Sequence, residues 1–136
     1  MADLSITAAS VAKGTNASVT STYLAGASIT AGQAVYLDTT DSTMKLADAD
    51  ALLSSAAFGV ALNSAASGQP IAVQRQGNIT IGATVVTGKA YYVSTTAGAI
   101  CLESDLSTGD FPHFLGFATS TTVIALDPKA CGVAKA

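Results

Sequence analysis

The sequence predicts an all-β fold, a small β-sandwich or β-barrel built from two related hairpin-containing repeats behind an extended N-terminal arm. Three observations carry this. Short apolar segments alternate with polar residues at the two-residue period of a strand. Clusters of Gly, Ser, Thr and Asp separate these segments at turn spacing. The string GQAVYLDTT at 32–40 returns as GKAYYVSTT at 88–96. Between 32–46 and 88–102, six of fifteen positions are identical at a constant offset of 56, from Gly32/Gly88 to Leu46/Leu102.

Residues 1–28 form the arm. They are rich in Ser, Thr and Ala, with isolated apolar residues at Leu4, Ile6 and Val11. Such a segment buries too little apolar surface to offset its own ordering entropy. It reads as either a flexible tail or an arm that orders on a partner, with Leu4, Ile6 and Val11 as the candidate partner-binding anchors and strand pairing as the means.

The β domain spans 29–128, with repeats at about 29–84 and 85–128. ITAGQAVYLD places a turn at Ala31-Gly32 and a strand from Ala34. TTDST is a turn, and MKLA completes a hairpin with Val35 and Leu37 on one face and Tyr36 on the other. LADADALLSSAA holds a short helical turn. FGVAL, IAVQRQG and NITIGATVV read as three further strands. The second copy runs GKAYYVSTT, ICLE, the loop SDLSTGDFPH, FLGFAT and TVIALD. FGVAL corresponds to LGFAT and IAV to VIAL, so the order of motifs repeats as well as the residues. Gly32 and Gly88 each open a strand where a turn needs positive φ. Residues 129–136 are read as a tail.

The duplicated motif is therefore structural, and the search for chemistry finds little. His113 is the single histidine, which leaves no second one for a dyad, and it reads as a structural or surface residue. Asp38-x-x-Asp41 and Asp48-x-Asp50 lack the spacing of a calcium loop and read as turn carboxylates. The glycines fit no phosphate-binding motif. The sequons at Asn16 and Asn78 follow no signal peptide. Tyr91-Tyr92 fits a core or subunit contact better than a sugar-binding face. Cys101 and Cys131 form no CxxC motif; free buried thiols and a disulfide both remain open. No catalytic residue, metal or cofactor is expected.

Composition argues for assembly. Only 11% of residues are charged, against 49% hydrophobic, and weak surface charge opposes association little. The net charge is −3 and the six basic residues are scattered, so nucleic acid is an improbable ligand. No apolar run reaches membrane-spanning length, and synthesis in a cytosol is expected.

The series G-x-A-[VY]-Y, L-A-D-A, G-V-A-L-N-S-A-A-S-G-Q-P, V-Q-R-Q-G-N-I-T-I-G-A-T and G-K-A-Y-Y-V resembles the capsid decoration (cement) proteins of tailed bacteriophages over residues 4 to 128. The resemblance implies a β-rich, often trimeric protein on the outer capsid surface that reinforces the head by bridging the major capsid protein. It carries no catalytic residues. A phage fibre, spike or tail module with a receptor-binding or attachment role is the alternative, with TTDST and SDLSTGDFPH as its candidate loops.

Overall fold

Val35 lies opposite Leu46, Tyr36 opposite Lys45 and Leu37 opposite Met44 in the first hairpin. Tyr91 lies opposite Leu102, Tyr92 opposite Cys101 and Val93 opposite Ile100 in the second. Each second pair is the first displaced by 56, so the two hairpins share one register. The computed structural model describes residues 3–130 and 135.

The chain forms strands β1 (Ala12–Lys13), β2 (Ser18–Thr20), β3 (Leu24–Ala25), β4 (Ala34–Asp38), β5 (Thr43–Leu46), β6 (Gly59–Ala61), β7 (Val73–Thr80), β8 (Ala90–Val93), β9 (Ile100–Leu102), β10 (His113–Ala118) and β11 (Val123–Ala130), with one helical turn, α1 (Leu52–Ser55). The strands join in a single hydrogen-bonded sheet of order β3-β5-β4-β6-β7-β11-β10-β8-β9, with β1 and β2 added on β7. The fold is all-β.

The repeat extends beyond the hairpins. Strand β6 lies beside β4 with Val35 opposite Gly59 and Ala34 opposite Val60. Strand β10 lies beside β8 with Tyr91 opposite Gly116 and Ala90 opposite Phe117. Gly32 N–H donates to the Ala61 carbonyl, and Gly88 N–H to the Ala118 carbonyl, both at 2.8 Å. Both glycines have the positive φ expected of the strand-entry turn, 92° and 84°. Each repeat is thus a four-stranded unit, β5-β4-β6-β7 or β9-β8-β10-β11.

The segments IAVQRQG and NITIGATVV, expected as two strands, contribute to one. Strand β7 runs straight through Gly77, but its neighbours change there. Residues before the glycine pair with β6 and β2. Gly77 and the residues after it pair with β11, and the last two also with β1. The φ of Gly77 is +91°, and a Cβ on it would lie 2.2 Å from the Asn16 carbonyl oxygen. The Gln74 side chain spans this point: its Nε2 donates to the carbonyls of Gln76 and Asn78, at 3.2 and 2.8 Å.

The two repeats then lie face to face as a sandwich with β7 common to both. Far from β7 the layers are tied by backbone bonds from Ala34 N–H to the Gly98 carbonyl, Gly98 N–H to the Ala47 carbonyl and Ala49 N–H to the Ser94 carbonyl. The main core fills the space between, with Ala34 and Val60 from the first repeat and Tyr91, Val93, Leu115 and Ile124 from the second. The opposite face of the first repeat buries Val35, Met44, Ala61 and Val73 beneath Ala25, Ile29, Ala65 and Ile71. A strand covered on both sides explains why β4 and β6 read as unbroken apolar runs.

Two sequence boundaries shift. Residues 1–28 are no separate segment where described, because β1, β2 and β3 belong to the sheet. The tail does not begin at 129, because β11 continues to Ala130. Cys131 lies outside the described residues. Cys101 is buried and its thiol is free.

Gly77→Ala is expected to destabilise the fold well beyond Gly68→Ala. Both positions have positive φ, which costs an L-residue about 1–2 kcal/mol, but a Cβ at Gly68 meets open space. Urea unfolding of the two variants measures the difference, which is the cost of parting β7 from the chain at Asn16.

Candidate functional site

The arm candidates come first. Leu4, Ile6 and Val11 all pack, partly buried, against the main core of their own chain. Leu4 N–H donates to the Ile100 carbonyl and Thr7 N–H to the Gly82 carbonyl, both at 2.8 Å. Asp3 accepts a 2.5 Å hydrogen bond from the Ser94 hydroxyl. Ile6 and Val11 fill the space beside Gly32, where a Cβ would meet their methyl groups at 2.5 and 3.0 Å. Within the chain this segment has partners far away in sequence, at Ile100, Gly82 and Ser94. Leu4, Ile6 and Val11 are anchors of the fold.

The arm also closes the sheet's open edges. Gly26 N–H donates to the Met44 carbonyl of β5, and Leu4 N–H to the Ile100 carbonyl of β9. Met44 and Ile100 are the same position of the repeat. Strand β5, flanked by β3, and the terminal strand β9 are thus each bonded at one matched carbonyl by opposite ends of one segment, which blunts their tendency to pair with other chains.

The polar candidates are absorbed by local structure. Lys45 Nζ lies 2.7 Å from Asp38 Oδ2 and 3.3 Å from Asp41 Oδ2. The hydrogen bonds from Lys45 and Thr43 hold the two carboxyls below their ordinary range, and the carboxylates raise the pKa of Lys45. Asp48 accepts from the Ser54 hydroxyl at 2.8 Å and from Asp50 N–H at 3.1 Å. These are turn-stabilising bonds. Among the described residues no three His, Cys, Asp or Glu side chains are grouped to hold a metal ion. A cleft of about 370 Å³ is lined by Ser18, Phe58, Arg75, Gln76 and Pro128. Arg75 lies 4.1 Å over the Phe58 ring, a cation–π contact rather than a poised acid or base.

His113 opens β10 and is buried, with neither ring nitrogen hydrogen-bonded among the described residues. Burial disfavours its charged form and lowers its pKa from 6.5 to about 4. Burial likewise pushes the Cys101 thiol up to about 12, which keeps it protonated and unreactive at neutral pH.

What stands out on the surface is aromatic. Tyr92, Phe114 and Phe117 line the outer face of the second repeat, stacked edge to face with centroids 5.8 Å apart for Tyr92–Phe114 and 5.0 Å for Phe114–Phe117. Phe117 is 54% exposed. The sequence placed Tyr92 in a core or subunit contact, and gave Phe114 and Phe117 no more than membership of the strand FLGFAT. The signal lay in the repeat: Phe117 occupies the position of Val60, which is buried in the first copy.

Comparison with protein-family models, curated proteins and solved structures finds no match for this chain.

Two outcomes follow. Ile6→Ala is expected to lower the stability of the isolated protein by about 1–2 kcal/mol, the cost of removing a partly buried side chain. Denaturant unfolding reads this, and an unchanged midpoint would show that the arm is not part of the fold. Stability is also expected to fall as pH drops from 6.5 to 4. In that window the unfolded chain takes up a proton that folded His113 refuses, so the unfolded state gains. The loss is on the order of 3 kcal/mol and levels off below the folded pKa. Asp38 and Asp41, with lowered pKa, hold their contribution until below 3.8. Unfolding curves across this range for wild type and His113→Leu separate the two effects, since the variant loses the slope between 6.5 and 4.

Proposed function

We propose that this chain is a structural protein of a tailed-bacteriophage virion, a decoration protein that binds the outer surface of the capsid as a homo-oligomer, a trimer, and stabilises the head by bridging major capsid proteins. The observation that carries the reading is the uncharged aromatic cluster of Tyr92, Phe114 and the exposed Phe117 on the outer face of the second repeat. Such a face offers a broad contact rather than a pocket. Interfaces of this kind combine an apolar centre depleted of charge with a polar rim. The motif series across the chain, which resembles that of decoration proteins, supports the same reading.

The mechanism is mechanical and non-catalytic. A decoration protein adds contacts that exist only on the assembled shell, so it favours the assembled state by mass action. Several copies joined in one oligomer multiply modest contacts through effective concentration. The capped edges suit this work. With β5 and β9 covered at Met44 and Ile100, the molecule can be packed densely on a shell without strand-to-strand aggregation.

The test is reconstitution on phage heads lacking their own decoration protein. Electron microscopy is expected to show added protein spread evenly over the head, and the temperature of genome release is expected to rise. Protein found at the tail alone would favour the fibre or tail-module reading, and no attachment to either would overturn both.

A further inference from the structure

Strand β7 exchanges its neighbours over a gap of two residues. Its last partner in β6 is Val60, opposite Gln74, and its first in β11 is Leu126, opposite Gly77. Arg75 and Gln76 fall between and pair with neither strand. The cleft of about 370 Å³ opens at this handover, between Phe58 at the entry to β6 and Pro128 of β11, with Ser18 of β2 beside it. A strand shared by two layers leaves such a gap where one neighbour gives way to the next.

The cleft holds a single charge. Arg75 is the only arginine of the chain. Its guanidinium lies 4.1 Å from the centroid of the Phe58 ring. Stacking of this kind orients the guanidinium and leaves its N–H donors free for another partner. Among the described residues no carboxylate stands within ion-pair distance of it: Asp38 and Asp41 pair with Lys45, Glu103 with Lys135, and Asp127, next to Pro128, with Lys129. Ser18 and Gln76 add an exposed hydroxyl and an exposed amide, and Phe58 and Pro128 an apolar wall.

A guanidinium presents paired donors that match the two oxygens of a carboxylate. One cation, in a chain of net charge −3, suits a monoanion better than a doubly charged phosphate. Ser18, Ala56, Arg75 and Gln76 line the cleft and are exposed, whereas a small-molecule pocket buries most of its ligand. We infer that the cleft around Arg75 is a docking site for an acidic segment of a partner protein, in which an Asp or Glu carboxylate of the partner meets the guanidinium and Ser18 and Gln76 supply further donors. The argument is charge complementarity to an unpaired, ring-held cation in an otherwise uncharged cleft. It does not rest on the capsid reading.

The single arginine makes the test direct, because its side-chain Nε–H gives one signal in the NMR spectrum of labelled protein. Two blocked tripeptides serve as probes, acetyl-Ala-Glu-Ala-amide and acetyl-Ala-Gln-Ala-amide. The Glu peptide is expected to shift the Arg75 signal and the backbone amides of Phe58 and Gln76 saturably, with a Kd in the millimolar range that suits one charge-assisted contact. The Gln peptide is expected to shift none of them. Arg75→Lys keeps the charge but loses the planar fork, and is expected to weaken the Glu peptide at least about threefold, read on the Phe58 and Gln76 amides. Ser18→Ala leaves the contact of Arg75 with Phe58 in place and is expected to weaken it about threefold. Both positions are exposed, and circular dichroism checks that the variants fold. No saturable shift with the Glu peptide, equal shifts with both peptides, or binding unmoved by both variants would each overturn the inference. So would acetate bound as tightly as the Glu peptide, which would assign the cleft to free small carboxylates, or inorganic phosphate bound more tightly, which would make it a phosphate site.

Discussion

The fold turns on a backbone that serves two layers at once. Strand β7 belongs to the first repeat before Gly77 and to the second from Gly77 onward. A strand can change partners in this way only if its carbonyls and N–H groups stay satisfied through the change. The Gln74 amide does part of this by binding the carbonyls of Gln76 and Asn78, on either side of the glycine. The positive φ of Gly77 lets the backbone pass within reach of Asn16, in the connection between β1 and β2. Everything else is placed relative to this strand: β6 and its hairpin on one side, β11 and its hairpin on the other, and the arm across both.

The arm is the second consequence. Two four-stranded units, each with open edges, would associate freely through those edges. Residues 3–26 oppose this without forming a layer of their own. They add β1 and β2 to β7, seat Ile6 and Val11 beside Gly32, and close β5 and β9 at matched carbonyls. The contacts are sparse, but they run to strands and strand-entry turns held by the rest of the sheet, so the entropy lost per contact is small compared with ordering a free peptide.

Much of this was legible in the sequence where the signal was local. The alternation of Val35, Tyr36 and Leu37 gave the pleat, and the 56-residue offset gave the equivalence of the two hairpins, though not the pairing within either. Gly32 and Gly88 were read correctly as strand-entry turns. The arm's partners within the chain were not legible, for a physical reason. Leu4 and Thr7 bond to Ile100 and Gly82, and composition reports nothing about partners so far along the chain. The division of β7 into two strands failed on Gly77: glycine ordinarily punctuates a strand, and here it marks a change of neighbours within one. For the candidate surface, the sequence supplied the aromatic residues but not their side of the sheet. A repeat has the same inward and outward pattern in both copies, and only the stacking of the copies decides which faces are hidden.

That stacking explains the asymmetry of the molecule. Had the two repeats met through the same face, as in an isologous pair, both remaining faces would be alike, and both would be capped or both exposed. They meet instead through unlike faces, B of the first (Ala34, Tyr36 and Val60) on A of the second (Tyr91, Ile100 and Ile124). A head-to-tail arrangement leaves one unmatched face of each kind. The chain covers its spare A face with the residues around Ile29 and Ile71. Among the described residues its spare B face is covered only in part, where the loop after β9 buries Cys101 with Ala49 and Leu106 and packs against Tyr92. The exposed cluster of Tyr92, Phe114 and Phe117 is thus a product of how duplication was closed. A protein with so few charges keeps an apolar face of this kind at a cost in solubility.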